Sequence, residues 1–426
     1  MRRRNRLATS ESSVDTATNG MATLSGLIER QSWNGFCEIE SEPSLFNVML
    51  REFGVEGVNV QEVVSLDKEI MDLLPHVLHA ASLYPFSSNL GVFYSKPVYG
   101  LIFLFRWQED NPEKQEASCP DGVWFANQTA SNACASVALL NIVNNIEGIR
   151  LGDNLTNFKN FTMPFTPALR GDAVANFEFV KRIHNSFARS MDILNSDLLL
   201  KDEAKNMSSK GKKHEDNESS EAGFHFIAFV PAKGRVWKFD GLERQPQDLA
   251  PCTDDDWLDQ VRAHLISRIE GYEEDQIEFS VLSLVRDPLR ARVEKLALNV
   301  RRLQAIRTCF TTSLRSSAEE TLGDAPGIVL LGPDTSLGLT QDILDLVGDP
   351  RDEIDTYNRC SCNELSSEYS RLVVEQQDIL MSIREEMQSR QSDDENAEGR
   401  RHDYSSAVEY WARALIQKGN LRELIE

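Results

Sequence analysis

The sequence is poor in cysteine. Its seven cysteines are an odd number scattered over 426 residues, which excludes the dense, paired pattern of a disulfide framework. Only Cys360 and Cys362 lie close together, and a C-x-C pair without a second pair or a nearby histidine is a weak zinc motif. We therefore expect reduced thiols, no metal and no cofactor.

The sequence also lacks a long hydrophobic run. The longest clean apolar stretch, Val98–Phe105, is far shorter than the roughly 20 residues that a membrane helix needs. The arginines at positions 2–4 are not followed by the apolar segment of a secretory signal. We expect no membrane partner and, with reduced thiols, a cytoplasmic and nuclear location.

Positive charge is scarce as well. Lysine and arginine total 45 against 67 aspartates and glutamates, a formal net charge of −22. Nucleic-acid binding needs clustered lysine and arginine, so this balance argues against a nucleic-acid partner. It favours a basic partner, or serves solubility alone.

The apolar patterns predict strands in the first part of the chain and helices in the last. Strands are predicted at Val98–Phe105 and Glu278–Val285, and a hairpin over Phe224–Asp240 with its turn in PAKG. Helical spacing predicts helices at 45–53, 132–145, 177–187, 256–269, 289–306, 363–390 and 404–425. This order indicates an α+β or α/β domain followed by a helical extension.

Composition divides the chain into four regions. Residues 1–31 are polar and are predicted to be disordered. Residues 32–286 form the main folded domain, interrupted by a mobile loop at 195–222. Residues 287–350 are predicted to be a helix and a linker that contains a short helix, and 351–426 a helical module. Within that module, the polar stretch Gln391–Arg400 is predicted to interrupt the helix.

Cys134 has the most suggestive setting for a nucleophile. Ser131 and Asn132 are residue types that cap helices, so a helix should begin near them and place Cys134 in its first turn. The unpaired N–H groups and the helix dipole favour a thiolate there. Ala133 and Ala135 leave room for a substrate backbone. The alternative is a small hydrophobic residue in a buried helix, the commoner role of cysteine.

His225 and Asp240 are predicted to face each other across the hairpin. A turn centred between Ala232 and Lys233 makes these two residues a directly opposed pair. Opposed Cβ atoms lie ~4.5–5.5 Å apart, so the carboxylate would accept the Nδ1 proton of His225 and stabilise its imidazolium. The alternative is a strand histidine with one incidental surface contact.

Gln128 lies six residues before Cys134 and supplies a side-chain N–H₂ group. Such a donor stabilises the oxyanion that forms when a thiolate attacks a carbonyl. His184, His264 and His402 have no comparable partner in the sequence and are expected to be structural or exposed.

These residues and their surroundings resemble the ubiquitin C-terminal hydrolase family of cysteine deubiquitinases. The matching segments lie at 35–66, 99–107, 124–143, 184–189 and 224–242, in the order found in that family. The most specific are WFANQTASNACASVALLNIV and FHFIAFVPAKGRVWKFDGL, which contain the glutamine and cysteine and then the histidine and aspartate.

The resemblance implies a role for each of these four residues. Cys134 would be the nucleophile, and His225 the general base and then the general acid. Asp240 would orient His225, and Gln128 would form the oxyanion hole with the Cys134 backbone N–H. The implied activity is hydrolysis of amide and isopeptide bonds after the C-terminal glycine of ubiquitin.

The resemblance also implies a fold. Residues 32–286 would be the catalytic domain, a papain-like central antiparallel sheet flanked by helices, with a knotted chain path. Loop 195–222 would be the family's active-site crossover loop, and 73–97 looks longer than the family's usual link. Because the tail of ubiquitin is basic, the negative charge of the chain leads us to expect an acidic groove beside Cys134.

The helical extension sharpens the resemblance. The segment RRHDYSSAVEYWARAL at 400–415 resembles the C-terminal module of the long, proteasome-associated member, on which a helical adaptor docks. The implied partners are ubiquitin, its conjugates and a proteasome receptor or adaptor, and the implied process is ubiquitin-dependent protein catabolism. Two alternatives are a catalytically idle ubiquitin-binding scaffold and the chromatin-associated relative, which usually carries a much larger middle insert.

Overall fold

The structure is a computed structural model that describes ten parts of the chain. They are residues 33–66, 97–107, 110–189, 191–196, 223–253, 256–271, 279–313, 329–347, 354 and 357–418. The predicted tail at 1–31 lies outside the described residues, as do nearly all of 73–97 and all but the first two residues of 195–222.

The described strands form one six-stranded sheet in the order β1-β6-β2-β3-β4-β5. They are β1 (Val58–Glu62), β2 (Val98–Arg106), β3 (Phe224–Ala232), β4 (Arg235–Phe239), β5 (Gln247–Pro251) and β6 (Phe279–Arg286). All neighbouring pairs run antiparallel. An antiparallel sheet places the domain in the α+β class rather than the α/β class, and the predicted fold class is confirmed.

Helices cover both faces of this sheet. They are α1 (Pro43–Phe53), α2 (Cys134–Val143), α3 (Gly152–Thr162), α4 (Pro167–Ala175), α5 (Glu178–Asn185), α6 (Trp257–Ile269), α7 (Pro288–Ser313), α8 (Gln341–Leu346), α9 (Cys362–Arg401) and α10 (Ser405–Lys418). Along β3, Phe226 and Ala228 pack against the core that contains α1 and α2, whereas Ile227 and Phe229 pack against α6. This alternation is why β3 is apolar at consecutive positions.

The hairpin differs from the prediction in its register. β3 and β4 pair Ala232 with Arg235, so the turn is Lys233–Gly234 and its centre lies one residue later than expected. Both turn residues have positive φ, 54° and 72°, as a type I′ turn requires. The predicted direct opposition of His225 and Asp240 is therefore wrong, because β4 ends before Asp240.

The C-terminal region differs in one helix. α9 runs without interruption to Arg401, so the predicted break at 391–400 is wrong. Polar residues of that stretch contact the main domain instead of ending the helix. Asp393 Oδ2 accepts a hydrogen bond of 3.0 Å from Asn47 Nδ2 in α1, and Ala397 is only 1% exposed. The last part of α9 thus packs on the same domain that carries Cys134.

α9 also pairs with α7. Asn299 of α7 donates to the Leu372 carbonyl at 2.9 Å and accepts from Gln376 Nε2 at 3.0 Å. Arg292 and Glu386 form a buried ion pair of 2.7 Å between the same helices. In the described part of the chain, no helix is both long and apolar enough to cross a membrane. The knotted path and the four-region division stay predictions.

Close packing of α2 on the sheet gives a stability prediction. A Cβ at Gly100 of β2 would lie 2.7 Å from Ile142 Cγ2 of α2 and 3.1 Å from the Phe229 carbonyl oxygen. Gly100→Ala should therefore lower the free energy of unfolding by about 1–3 kcal/mol, measured by chemical denaturation. A Cβ at Gly399 in α9 meets no atom within 4 Å, so Gly399→Ala should raise it by about 0.5–1 kcal/mol. Equal effects of the two changes would contradict the packing argument.

Candidate active site

Cys134 is the first residue of α2, as the sequence predicted. The helix cap is not as predicted, since Ala133 occupies that position and no side chain caps the first turn. Asn132 instead has a φ of 60°, a left-handed conformation that asparagine tolerates better than most residues. The sharp turn at Asn132 leads directly into the helix and leaves Cys134 partly exposed at its N-terminus.

His225 and Asp240 are in direct contact. Their Nε2 and Oδ1 atoms lie 2.7 Å apart, and the side chains are only 5% and 2% exposed. Asp240 Oδ1 also accepts a hydrogen bond from the Leu242 backbone N–H at 2.9 Å. The predicted partnership is therefore present, but the predicted ring nitrogen is wrong, because Asp240 binds Nε2 rather than Nδ1.

The electrostatics join Cys134 to this pair. Burial by itself lowers the pKa of His225, but hydrogen bonds and charge from Asp240 and Cys134 outweigh it and raise the pKa from 6.5 to about 9. Burial by itself raises the pKa of Asp240, but its contacts with His225 and Leu242 lower the pKa on balance. The arrangement therefore holds a proton on His225 beside the Cys134 sulfur.

Gln128 is anchored to this site through its backbone. Its N–H donates to the Gly241 carbonyl at 2.8 Å, one residue after Asp240. A Cβ at Gly241 would lie 3.0 Å from the Cβ of Gln128, so only glycine allows this approach. Among the described residues, the buried Oε1 of Gln128 has no hydrogen-bond partner. The position of the Gln128 side-chain amide is thus set by the Gln128 backbone and not by a hydrogen bond to Oε1.

A cleft of about 310 Å³ opens beside Cys134. It is lined by Glu38, Ile39, Glu40, Leu104, Asn132, Cys134, Asp192, Asn195, Ser196, Phe224, Phe226 and Arg400. Three carboxylates and one guanidinium make the lining acidic on balance, as the sequence led us to expect.

Arg400 of α9 was missed as a cleft residue by the sequence reasoning. Its guanidinium contacts Glu40 at 3.0 Å and Asp192 at 2.8 Å, and so joins two walls of the cleft. Both RRHDY and the segment that contains Glu40 were noted as family-like, but neither shows in sequence that the two meet.

His184 is structural, in line with the expectation. Its Nε2 lies 2.8 Å from the Cys37 carbonyl oxygen, which only accepts, so Nε2 carries the proton and Nδ1 accepts from Ser136 Oγ at 2.8 Å. Burial lowers the pKa of His184 to about 4 and keeps the ring neutral. Since Ser136 lies in the first turn of α2, this buried histidine supports the turn that carries Cys134.

Metal ligands are not grouped in the described part of the chain. No cluster there contains three or more histidine, cysteine, aspartate or glutamate side chains placed to hold an ion.

The chain matches the family described as ubiquitin carboxyl-terminal hydrolase, family 1, over residues 36–270, which include all four candidate site residues. It is 34% identical over 262 residues to the ubiquitin carboxyl-terminal hydrolase isozyme L5 of Dictyostelium discoideum. That alignment covers 62% of this chain and 65% of the relative, so the chain spans slightly less than two thirds of that protein.

Two further proteins are similar to this chain over a comparable share of its length. The ubiquitin carboxyl-terminal hydrolase BAP1 of Xenopus tropicalis is 30% identical, with 59% of this chain and 34% of that protein covered. The crystal structure of the Trichinella spiralis UCH37 catalytic domain bound to ubiquitin vinyl methyl ester is 28% identical. It covers 59% of this chain and 96% of that chain, with a TM-score of 0.42.

The contacts of His225 predict that stability depends on pH. Its pKa is raised in the folded protein, so its contribution is complete below pH 6.5 and is lost as the pH rises through about 9. At roughly 1.4 kcal/mol per pKa unit, the contribution is at most about 3 kcal/mol. In urea denaturation, His225→Asn should lose most stability at pH 6.5 and least above pH 9, whereas exposed His402→Asn should leave the profile unchanged. A loss that is independent of pH would contradict the protonated state of His225.

Proposed function

The chain belongs to the ubiquitin carboxyl-terminal hydrolase family, and from this membership we propose that it is a thiol-dependent deubiquitinase. Its reaction is the hydrolysis of amide and isopeptide bonds after the C-terminal glycine of ubiquitin. The observation that carries the proposal is the buried 2.7 Å contact between His225 and Asp240, coupled to Cys134 at a helix N-terminus. A thiol, an imidazole and a carboxylate in this relation are the groups that acyl transfer by a cysteine requires.

The proposed reaction has two halves. The Cys134 thiolate attacks the carbonyl carbon of the ubiquitin glycine, and the electron pair of the C=O bond moves onto oxygen. The Gln128 amide and the Cys134 N–H stabilise this oxyanion. As the pair returns, the C–N bond breaks and His225 gives its proton to the leaving amine. Water then loses a proton to His225 and attacks the thioester, and the C–S bond breaks to restore the Cys134 thiolate beside protonated His225. The released ubiquitin carboxylic acid gives its proton to solvent.

The cleft beside Cys134 supports ubiquitin as the substrate. With Arg400 paired to Glu40 and Asp192, the charged side chains of the lining still carry a net negative charge, so the cleft stays acidic and favours a basic peptide tail. Leu104 and Phe226 supply apolar surface on the same lining. An acidic and partly apolar cleft of about 310 Å³ suits an extended tail rather than a folded domain.

The end of the chain supports a second partner. Val408 and Trp411 lie three residues apart on one face of α10, and Tyr404, just before the helix, lies four residues before Val408; all three side chains are exposed. An exposed apolar helix face of this kind binds an apolar partner surface. We propose that α10 docks on a proteasome receptor or adaptor, and that the protein acts in ubiquitin-dependent protein catabolism in the cytoplasm and nucleus.

The chromatin-associated relative is the weaker alternative. It usually carries a much larger insert before its C-terminal module, whereas here α7 ends at Ser313 and α9 begins at Cys362. The hypothesis of a catalytically idle ubiquitin-binding scaffold is also weaker, since the residue expected in the family is present at all four proposed catalytic positions.

Substitution of the site residues tests the proposed activity. Release of a fluorogenic amine from the C-terminus of ubiquitin should be abolished in Cys134→Ala. It should fall by about 10²–10⁴ in His225→Ala, and less in Asp240→Asn, because Asp240 acts through the imidazole. Gln128→Ala should lower kcat by about 10²–10³, the usual effect of losing an oxyanion donor.

A ubiquitin vinyl-electrophile probe supplies the control for this series. It should label wild type and Cys362→Ala, which changes an exposed cysteine, but not Cys134→Ala. Full activity in His225→Ala would contradict the role of His225 as general base and acid. Binding of ubiquitin by an unreactive wild-type protein would identify a scaffold instead.

A surface change on α10 tests the proposed docking. Trp411 is 64% exposed, so Trp411→Ala should leave folding and hydrolysis of the small ubiquitin substrate unchanged. It should weaken co-sedimentation with purified proteasomes by about tenfold, because exposed tryptophans are common anchors of interfaces. Arg413→Ala, a matched change to a largely exposed polar residue of α10, should bind as wild type does. Equal binding by the two variants would contradict docking through the apolar face.

A further inference from the structure

Lys238 is a fully buried charge next to the site. It lies in β4, two residues before Asp240, and its side chain is 0% exposed. Its Nζ contacts Asp110 Oδ2 and Glu243 Oε1, each at 2.8 Å. A buried ammonium costs several kcal/mol unless it is paired, so these two carboxylates hold Lys238 in one position.

Glu243 closes the turn that follows Asp240. Its backbone N–H donates to the Asp240 carbonyl at 3.1 Å, and its own carbonyl accepts from Asn127 Nδ2 at 2.5 Å. Gly241 of the same turn accepts the Gln128 N–H at 2.8 Å. The turn at 240–243 therefore holds the Asn127–Gln128 segment at two points.

This double attachment matters because the Gln128 side chain is not anchored through its Oε1 atom. Among the described residues, its buried Oε1 has no hydrogen-bond partner. The position of the amide consequently follows the position of the backbone, and the turn sets that position. Lys238 reaches the turn through its ion pair with Glu243.

We infer that Lys238 is a positioning residue for the proposed hydrolysis, acting through Glu243 and the turn at 240–243 to place the Gln128 amide at the oxyanion. The inference rests on the proposed function. It adds a role for a strand residue that touches none of the reacting atoms. The charge of Lys238 also makes the smallest of the contributions that lower the pKa of Asp240. The test must therefore separate the step that builds charge on oxygen from the formation of the Cys134 thiolate.

Kinetics of Lys238→Met in the full-length chain test this inference. A displaced Gln128 amide no longer stabilises the oxyanion, but substrate binding does not depend on it. For hydrolysis of the ubiquitin amide, kcat should therefore fall by about tenfold, with KM within about twofold of wild type. Alkylation of Cys134 by iodoacetamide, followed by mass spectrometry, should stay within about twofold, since that reaction forms no oxyanion. Lys238→Arg keeps the charge and should recover most of kcat.

Lys181→Met is the matched control. Lys181 is also nearly buried, and its Nζ contacts Asn34 Oδ1 at 2.6 Å and Glu178 Oε1 at 3.1 Å, away from the turn. Its loss removes a comparable buried ammonium and should leave kcat within about twofold of wild type. An equal fall in kcat in both lysine variants would indicate a general structural effect and would overturn the inference.

Glu243→Gln serves if Lys238→Met does not fold. It keeps the shape of the side chain, removes the ion pair, and should lower kcat by about threefold with alkylation unchanged. Wild-type kcat in this variant, or alkylation that slows as much as kcat, would refute the route through Gln128. Failure of wild type itself to hydrolyse ubiquitin amides would refute the proposed function, which is a separate outcome.

Discussion

The hydrogen bond between His225 Nε2 and Asp240 Oδ1 is the interaction on which the site depends. Both side chains are buried, and an isolated charge at either position would be costly, so each is stable there because the other is present. The bond holds the imidazole in one orientation and keeps it protonated beside Cys134. The β3–β4 hairpin and the turn after it are arranged so that this contact forms beyond the end of the ladder.

Cys134, the proposed nucleophile, lies on a helix that is supported by distant parts of the chain. Gly100 lets β2 approach α2 at Ile142, and His184 binds Ser136 in the first turn of the helix. Neither residue takes part in the proposed reaction. The contact at Ile142 packs the C-terminal end of α2 on the sheet, and the contact at Ser136 supports the first turn, which carries Cys134.

The helical extension packs directly on the main domain. The last turns of α9 are polar, yet they pack on α1 through Asp393 and Ala397, and Arg400 bridges Glu40 and Asp192 at the cleft. The charges of this stretch thus have partners on the domain. The acidic residues behind the net charge of −22 thus fall into two groups: some line the cleft beside Cys134, and others are exposed to solvent.

The sequence by itself was sufficient to predict most of the central strands and helices and to identify the four candidate site residues. Apolar spacing reports local burial, so it located the central strands, α1, α2, α6, α7 and the first part of α9. It missed the edge strands β1 and β5, because half-exposed edge strands have weak apolar patterns, and it also missed helices α3 and α4. The motif around Cys134, with His225, Asp240 and Gln128, led to the family that the comparison then confirmed over 36–270. The individual roles of the four residues stay predictions.

Tertiary structure decided the register, the ring nitrogen and the cleft. Register depended on positive φ at Lys233 and Gly234, and Asp240, which lies beyond the end of β4, contacts Nε2 of His225 rather than Nδ1. The continuity of α9 and the place of Arg400 depended on contacts with residues hundreds of positions away. A polar stretch has the same local pattern whether its charges face water or a partner, so only the packed chain distinguishes a break from a docked helix.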